Sequence, residues 1–306
     1  MGARLRKPLI SLSMDNFLSR GSGGQVFIVS RTIVFKGPTL FDDPAPRQAE
    51  EMEESIKRIE NEKSVYRVLM DHRHPNIVDC LRCIPQGIFL NRLVSTLEHR
   101  INISHSLAIL PSVQERWVQQ LTSALAWIEN LGYVHGDLRP ANIFLDANED
   151  IRLGDFDAAV KKNEQLFVAS EPFCKLNEDY ELPIAGPVSE QFSLGSCIYT
   201  IRFGYPPWHD VDAPIRVRRL MQNQFPSTST DHLLGQVTDN CWHGVYESMI
   251  AVERDVQTCL GIQSNMGQSK KVQVDEKKIA MLQAECDEFI RAANQNPKDS
   301  LRCHNL

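Results

Sequence analysis

The sequence predicts an α+β fold, with a strand-rich front part and a larger helical back part. In the front part, short runs of β-branched and aromatic residues stand between glycine and proline turns. In the back part, longer segments carry apolar residues at helical spacing. The length of 306 residues suffices for two lobes or for one large domain.

The composition is that of an ordinary globular protein. Hydrophobic residues make up 42% of the chain and charged residues 24%. The net charge of −6 does not indicate nucleic-acid binding, and no apolar run approaches the about 18 residues of a membrane helix. Apart from Cys80 and Cys83, the eight cysteines show no paired spacing. We therefore expect reduced thiols in a cytoplasmic protein, with the nucleus as an open alternative, and neither nucleic acid nor membrane as a partner.

The front part begins with two predicted strands around a glycine-rich turn in residues 14–36. A helix is predicted from Ala49 to Met70, where apolar residues recur among Glu and Lys. Two further strands are predicted at 77–84 and 87–94.

The back part opens with a long predicted helix at about 112–131, which begins with a serine and ends at Gly132. A strand–loop–strand stretch is predicted at 133–160, followed by a mobile-looking loop at about 161–188. A buried helix is predicted at 191–203, and the remainder is expected to be helical.

The strongest chemical signal is the string H-G-D-L-R-P-A-N at 135–142. Phosphoryl transfer needs a carboxylate that accepts the proton of the attacking hydroxyl, and a neutral oxygen ligand for magnesium nearby. Asp137 and Asn142, five residues apart in one loop, suit these roles. Thirteen residues further on, Asp155 in G-D-F-D supplies a second hard oxygen ligand. A single loop Asp is usually a turn residue, so the prediction depends on the joint pattern.

These residues resemble the catalytic loop and metal motif of the protein kinase superfamily, and the resemblance runs from about 14 to 260. H-G-D is also common in small-molecule kinases of the aminoglycoside phosphotransferase type, so other segments must decide. Residues 74–78 are similar to the H-P-N-I-V of eukaryotic protein kinases. Residues 189–195 resemble the start of the central C-lobe helix, and 204–208 resemble the G-x-x-P-F that follows it. Small-molecule kinases lack these last two elements, which favours a protein kinase.

The resemblance implies a bilobal protein-kinase-like fold, with ATP and Mg²⁺ as cofactors. Lys36, at the end of I-V-F-K, matches the lysine that positions ATP, and Glu62 matches its partner. Arg139 stands where the family has lysine, and it keeps the charge with a different shape. Asn142 and Asp155 would be the metal ligands.

The same resemblance implies a nucleotide pocket. Gly21 and Gly24 match the second and third glycines of G-x-G-x-x-G-x-V, with Ser19 at the first. The residues around the adenine would be Val26 and Val34 from above, Phe144 from below, Leu90 as gatekeeper, and Asn91 to Leu93 as hinge. For each apolar residue, core packing explains the pattern equally well. His135 and Phe156 would be packing residues of the same core.

Two departures concern the activation loop. Gly136 replaces the arginine that anchors a phosphorylated loop in the family, and residues 157–178 contain one hydroxyl, Ser170. Activity would therefore not depend on phosphorylation of this loop. Asp157 replaces the glycine of D-F-G, which removes a flexible hinge.

Further departures concern the substrate-docking segment. No A-P-E is present, and family spacing places its remnant at Glu178. Pro172 falls at the proline of the docking loop, and Glu171 replaces the threonine that is typical of Ser/Thr kinases. The sequence therefore does not identify the substrate.

We expect an enzyme, a protein kinase that transfers the γ-phosphoryl group to a hydroxyl of a protein substrate, with Ser or Thr as the expected acceptor. A nucleotide-binding pseudokinase or scaffold stays open because the docking motifs have changed, and a small-molecule kinase is a further alternative. In its general sequence features the chain resembles divergent kinase-like proteins of filamentous fungi.

The expected kinase-like domain is 12–260, with an N-lobe at about 12–91 and a C-lobe at about 94–260. Residues 261–306 are expected to form a helical tail. A charged helix packed on the C-lobe is preferred over a partner-binding helix.

Overall fold

Two units make up the protein, in a computed structural model that describes residues 4–103, 108–262 and 274–295. The strand-rich unit takes in the described residues 4–73, 78–92 and 274–295. The helical unit takes in 74–77, 93–103 and 108–262. The chain passes from the first unit to the second after Arg73 and again after Arg92, and the second of these crossings lies inside the hinge that the sequence predicts.

Seven strands belong to the strand-rich unit: β1 Arg4–Arg6, β2 Phe17–Gly21, β3 Gly24–Ile28, β4 Ile33–Gly37, β5 Leu40–Asp42, β6 Cys80–Ile84 and β7 Gly87–Asn91. Five of them form an antiparallel sheet in the order β2-β3-β4-β7-β6. The predicted front strands are present because β-branched and aromatic residues fit the pleated surface of a sheet. β1 pairs with β5, so the unit begins before the predicted domain start at residue 12.

The helix α1 spans Pro46–Asp71 and packs on this sheet. A proline in its first turn fixes φ where no intrahelical donor is needed. Its buried side chains recur at intervals of three and four residues, which gives the helix one inward face; they are Ser55, Ile59, Glu62, Lys63, Val65, Tyr66 and Leu69. The helix predicted at 49–70 is therefore present and starts three residues earlier.

The opposite face of the sheet carries buried phenylalanines of β3, β4 and β7. The helix α8, Glu276–Gln295, covers this face with Leu282 and Cys286. Arg82 of β6 donates hydrogen bonds of 2.8 and 2.7 Å to the two carboxylate oxygens of Asp287. The helix is thus held by apolar burial and by a two-bond ion pair.

The position of α8 corrects the expectation for the tail. We expected a charged helix on the C-lobe, and the structure places the helix in the strand-rich unit. The physical reason is that its apolar stripe matches the apolar outer face of the sheet. Of the predicted tail, residues 263–273 and 296–306 lie outside the described residues, and Cys303 is among them.

Six helices are described in the helical unit: α2 Leu97–Asn102, α3 Pro111–Asn130, α4 Pro187–Phe203, α5 Ala213–Met221, α6 Gly235–Trp242 and α7 Met249–Cys259. α3 packs on α7, and α4 packs on α6. At Gly195 of α4 an added Cβ would lie 3.0 Å from side-chain atoms of Cys241 and Trp242, so the glycine permits the close approach. None of the helices described in the protein is long and apolar enough to cross a membrane.

Five short strands position the loops of the helical unit: β8 Ser95–Thr96, β9 Tyr133–Val134, β10 Ile143–Leu145, β11 Ile151–Leu153 and β12 Val160–Lys161. β10 pairs with β8 and β11, and β9 pairs with β12. The loop at 135–142 therefore leaves β9 and enters β10, while 154–159 connects β11 to β12. These two loops carry the predicted catalytic and metal-binding residues.

The segment at 161–188 differs from the mobile-looking loop that the sequence suggests. Ala185 donates to the carbonyl of Glu164 and accepts from Asn163, both at 2.8 Å. Leu166 donates to the carbonyl of Pro183 at 3.3 Å. Backbone bonds of an antiparallel ladder thus tie the two ends of the segment together.

Candidate active site

A buried ion pair lies in the strand-rich unit. Nζ of Lys36 on β4 is 2.7 Å from Oε2 of Glu62 on α1, and the two side chains are 10% and 0% exposed. Burial of a single charge is costly, whereas opposite charges in contact offset much of that cost. The structure brings together the two residues that the sequence pairs, and their role toward a nucleotide stays a prediction.

The glycine-rich hairpin joins β2 to β3. At Gly24, φ is 147° and an added Cβ would lie 2.3 Å from the carbonyl oxygen of Gly37, so the position requires glycine. At Gly21 no described atom lies within 4 Å of an added Cβ. Arg20 of the hairpin donates to Oε1 of Glu51 on α1 at 2.6 Å. The hairpin is therefore linked to α1, while Gly21 leaves space around the backbone.

Three predicted adenine-contacting residues share the sheet face of Lys36. Val26 lies opposite Lys36 on the neighbouring strand, and Val34 lies opposite Leu90. Since side chains alternate along a strand, all four point to one side of the sheet. Val34 and Leu90 are buried. Burial is equally expected of ordinary core residues, so the contact of these two side chains with the adenine base stays a prediction.

The side chain of Asn91, a predicted hinge residue, forms a hydrogen bond within the strand-rich unit. Its Oδ1 accepts the backbone N–H of Asp79 at 2.8 Å. Leu93 and Phe144 belong to the helical unit, where Phe144 is half-buried on β10. The structure thus divides the predicted adenine-contacting set between the two units.

The catalytic loop holds Asp137 through one carboxylate oxygen. Oδ2 accepts from Nδ2 of Asn142 at 2.9 Å and from Nε of Arg139 at 3.1 Å. Oδ1 is buried and has no hydrogen-bond partner within residues 4–103, 108–262 and 274–295. Leaving a buried acceptor unpaired costs about 1–3 kcal/mol, so such an atom calls for a functional explanation. Acceptance of a substrate hydroxyl is one that fits this carboxylate.

Asn142 and Asp155 offer oxygen atoms for a cation. The backbone N–H of Gly154 donates to the carbonyl of Asn142 at 3.1 Å, which brings the start of the second loop beside the first. Asn142 also donates its side-chain N–H to the carbonyl of Asp137 at 2.8 Å, so the amide is held by its nitrogen. Asp155 has a φ of 64°, a strained left-handed conformation for a residue other than glycine.

This donor set fits magnesium. Amide and carboxylate oxygens are hard ligands, and magnesium usually keeps waters and takes phosphate oxygens beside one or two carboxylates. No group of three or more His, Cys, Asp and Glu side chains in the part of the chain that the structure describes is arranged to hold a metal ion. The residues therefore suit an ion that is shared with a nucleotide rather than an all-protein metal cage.

A buried hydrogen-bond network supports the catalytic loop. Oε2 of Glu190 on α4 accepts the backbone N–H of His135 at 2.6 Å. Nε2 of His135 donates to the carbonyl of Gly154 at 3.0 Å, and its ring lies 5.1 Å from that of Phe156. Both rings are fully buried, in line with the packing role expected of them. Burial raises the pKa of Glu190, and the nearby His135 partly opposes this.

The role of Glu190 was not recognised from the sequence, where it served only as part of a helix motif. The residue contacts a backbone amide 55 positions away. Only the resemblance of 189–195 to the kinase C-lobe helix offered a signal for it.

Gly136 has a backbone that no arginine could adopt without rearrangement. Its φ is 78°, and an added Cβ would lie 2.3 Å from the carbonyl oxygen of Ala158. The neighbouring replacement, Asp157, is buried within the short 3₁₀ helix at Phe156–Ala158. The two substitutions therefore belong to a backbone arrangement in which the loops at 136 and 158 are in close contact.

The docking loop is fixed by side chains of α4 and α5. Arg216 of α5 pairs with Glu171 through two hydrogen bonds, with Nη2 at 2.7 Å from Oε1. The carbonyl of Pro172 accepts from Oγ of Ser196 at 2.9 Å, and that of Phe173 from Oγ of Ser193 at 2.6 Å. The pairing of Arg216 with Glu171 is not predictable from the sequence, because a partner 45 residues away leaves no local signal.

Glu178, the predicted A-P-E remnant, is exposed. It forms no ion pair and no side-chain hydrogen bond with any other described residue. Ser170 is half-buried, and its carbonyl accepts from the backbone of Phe173 at 2.7 Å. Anchoring of the docking loop thus comes from Glu171 rather than from Glu178.

The chain is similar in sequence to known protein kinases. A family model described as the protein kinase domain matches residues 44–290. Mitogen-activated protein kinase kinase kinase 5 of Arabidopsis thaliana is 24% identical over 254 residues, which covers 73% of this chain and 34% of that protein. Serine/threonine-protein kinase MRCK gamma of Mus musculus is 30% identical over 136 residues, which covers 40% of this chain and 9% of that protein.

A third relative is CBL-interacting serine/threonine-protein kinase 24 of Arabidopsis thaliana. It is 26% identical over 184 residues, which covers 56% of this chain and 39% of that protein. The alignments span between 9% and 39% of the length of these three relatives. The similarity therefore concerns the catalytic domain and not the further parts of those proteins.

Proposed function

The chain belongs to the protein kinase family, and from that premise we propose that it is an active kinase that phosphorylates Ser or Thr of a protein substrate with ATP and Mg²⁺. The observation that carries the proposal is the state of Asp137, which is oriented through one carboxylate oxygen and has a second that is buried without a partner. The names of the relatives support Ser or Thr as acceptor, since two of the three are called serine/threonine-protein kinases.

Each unit supplies its own part of the chemistry. ATP bound with magnesium would supply the γ-phosphoryl group, and the metal would offset the charge that develops on the phosphate oxygens. In the strand-rich unit, Lys36 binds phosphate oxygens and Glu62 holds its ammonium group in place. In the helical unit, Asn142 and Asp155 would hold the metal through oxygen atoms.

Asp137 orients the attacking hydroxyl and accepts its proton at Oδ1. Asn142 and Arg139 hold the other oxygen of the carboxylate, so the side chain is fixed before substrate arrives. Arg139 is 37% exposed and retains donors for the transferring phosphoryl group.

Activity does not require phosphorylation of the segment after Asp155. Gly136 cannot anchor a phosphate, and the segment is already tied by the backbone ladder at 163–166 and 183–185. The docking loop is held by Glu171 and Arg216. Built-in contacts thus take the place of the phosphate–arginine contacts that order such loops in other kinases.

Phosphate transfer from labelled ATP with Mg²⁺ to generic protein acceptors tests the proposal. Asp137→Asn should lower the rate by about 10²–10⁴-fold, because the general base is lost while the shape is kept. Asp146→Asn is the matched control: this aspartate of the same unit pairs with Arg152 and should leave the rate within about twofold.

Nucleotide binding is measured separately by thermal unfolding with and without Mg²⁺–ATP. Lys36→Ala should abolish the nucleotide-dependent rise in Tm, whereas Lys57→Ala, on the exposed face of α1, should keep it. A rise in Tm without phosphate transfer would identify a nucleotide-binding pseudokinase and overturn the proposal. Phosphorylation of a small molecule but of no protein would also overturn it.

A further inference from the structure

Two cysteines of the strand-rich unit lie in contact. The Sγ atoms of Cys80 and Cys83, both on β6, are 3.6 Å apart. Cys80 is buried and Cys83 is half-buried. On a regular strand, residues three apart point to opposite faces, so this contact needs an explanation.

A β-bulge supplies the explanation. Cys80 lies opposite Leu90 and Cys83 opposite Ile88, with a register shift between them. Leu90 and Ile88 are two residues apart on β7, so both cysteines share one face of the sheet. Two residues of strand span about 6.7 Å, within the roughly 4.4–6.8 Å between Cα atoms that a disulfide allows.

The surroundings activate one sulfur and not the other. The hydrogen bond between the two sulfurs, together with the charges of Arg67 and Lys63 on α1, lowers the pKa of Cys83, against burial and Glu60. The same hydrogen bond and burial raise the pKa of Cys80.

The remaining described cysteines differ from Cys83. Burial raises the pKa of each one; they are Cys174, Cys197, Cys241, Cys259 and Cys286. The thiolate is the reactive form, so Cys83 combines thiolate character, partial exposure and a partner sulfur.

We propose that Cys80 and Cys83 form a redox site, which a peroxide oxidises to an intramolecular disulfide. A metal site is disfavoured because no third His, Cys, Asp or Glu ligand is placed beside the pair in the described chain.

The reaction balances with one peroxide molecule. The Cys83 sulfur attacks a peroxide oxygen, an S–O bond forms, the O–O bond breaks, and hydroxide leaves and takes up a proton as water. The Cys80 sulfur then attacks the Cys83 sulfur, the S–S bond forms, the S–O bond breaks, and the Cys80 proton leaves in a second water. Two thiols and one hydrogen peroxide thus give one disulfide and two waters.

The position of the pair connects this chemistry to Lys36. Cys83, Ile88 and Lys36 form one cross-strand row on the same sheet face, with Ile88 in the middle. Closure of the disulfide brings the two sulfurs about 1.5 Å closer and tightens β6 at the bulge. A change in this row displaces Lys36 from Glu62, so the oxidised protein should bind ATP less tightly; this consequence depends on the proposed function.

Mass spectrometry of the full chain, treated with hydrogen peroxide at pH 7, tests the site without any assay of activity. We expect a loss of two hydrogens that maps to the peptide with Cys80 and Cys83, and its reversal by dithiothreitol. Alkylation of Cys83 before oxidation should be at least about tenfold faster than that of Cys174 or Cys259, which are also half-buried.

Variants separate the site from its neighbours. Cys83→Ser should abolish the disulfide, and Cys174→Ser should leave it unchanged. Cys83 is only half-buried, so its substitution to Ser keeps the measurement possible where Cys80→Ser fails to fold. Oxidation of Cys83 to a sulfinic acid without a disulfide, or faster oxidation of Cys174 or Cys259, would overturn the proposal.

Calorimetric titration with ATP tests the consequence. The dissociation constant should rise at least about threefold on oxidation of the wild type and stay constant for Cys83→Ser. An equal constant in both redox states would overturn the link to Lys36. If neither form binds ATP, the proposed function fails, while the mass measurement still decides the redox site.

Discussion

The catalytic loop at 135–142 and the segment at 157–190 lie in the same unit, yet they have kept different parts of the kinase pattern. In the loop, Asp137 and Asn142 keep both their identity and a mutual hydrogen bond of 2.9 Å. In the segment, the glycine of D-F-G, the A-P-E string and the docking-loop threonine are all replaced.

The difference between the two regions lies in what holds each in place. Chemistry at a reacting hydroxyl needs specific groups at specific positions, and few side chains can replace a carboxylate or an amide there. The segment needs only to be ordered, and order can come from other contacts. Here the backbone ladder, the Glu171–Arg216 pair and two serine hydroxyls of α4 supply them.

The largest effect is expected at Gly136, where the two regions touch. Gly136→Ala should lower the free energy of unfolding by about 3 kcal/mol or more, because the added Cβ meets the Ala158 carbonyl in addition to the cost of a positive φ. Gly132→Ala is the matched control, with a φ of 85° and no described atom within 4 Å of its Cβ. It should cost about 1 kcal/mol. Equal losses in urea unfolding would show that the contact does not constrain the loop.

A pH effect is expected outside the two regions but in the same unit, at His74 of the H-P-N-I-V string. Burial, helped by the charge of Arg152, lowers its pKa to about 4 from 6.5. The unfolded chain binds a proton below about pH 6.5 and the folded chain only near pH 4, so the free energy of unfolding falls as the pH drops through that window. Between pH 7.5 and 5 the loss should be about 2 kcal/mol.

Urea unfolding at the two pH values measures this effect. His74→Gln removes the titrating group and should flatten the difference by a similar amount. An unchanged difference in the variant would assign the acid sensitivity to other groups.

A smaller effect is expected in the docking segment. Arg216→Met should lower the free energy of unfolding by about 1–2 kcal/mol and weaken activity on a protein acceptor by about tenfold, since Glu171 is left without its two-bond partner. Arg218→Met, on the exposed side of the same helix, is the control and should change neither quantity appreciably. Equal activity of the two variants would mean that the pair does not position the loop.

The smallest effect is expected at Ser170, the one hydroxyl of residues 157–178. Ser170→Ala should leave the rate of phosphate transfer within about twofold, because its side chain is not used in the contacts that hold the segment. A large loss of activity would indicate a phosphorylation site and refute the account of built-in order.

The sequence predicted those parts of the molecule that short motifs or periodicity specify. The α+β kinase-like fold is confirmed by the family match and by the strands and helices of the two units. Asp137 and Asn142 were placed in one loop because five residues of chain connect them. Lys36 and Glu62 required the family pattern, since nothing local joins β4 to α1.

The other features of the structure depend on contacts between residues far apart in the chain, which leave no signal in the local sequence. The amphipathic pattern of α8 showed an apolar stripe but not the sheet that covers it. The bulge of β6 reverses the face of Cys83, and no glycine or proline signals it. Arg216 could not be paired with Glu171 from the sequence, because any of several arginines was an equal candidate.

The most direct test of the comparison is phosphate transfer from labelled ATP by wild-type protein after phosphatase treatment and mass-spectrometric proof that no phosphate remains. We predict a rate equal to that of untreated protein within about twofold, and about 10²–10⁴-fold above that of Asp137→Asn. Loss of activity after phosphatase treatment would contradict the claim that built-in contacts order the segment. A rate no higher than that of Asp137→Asn in both preparations would contradict the claim that the catalytic loop is active.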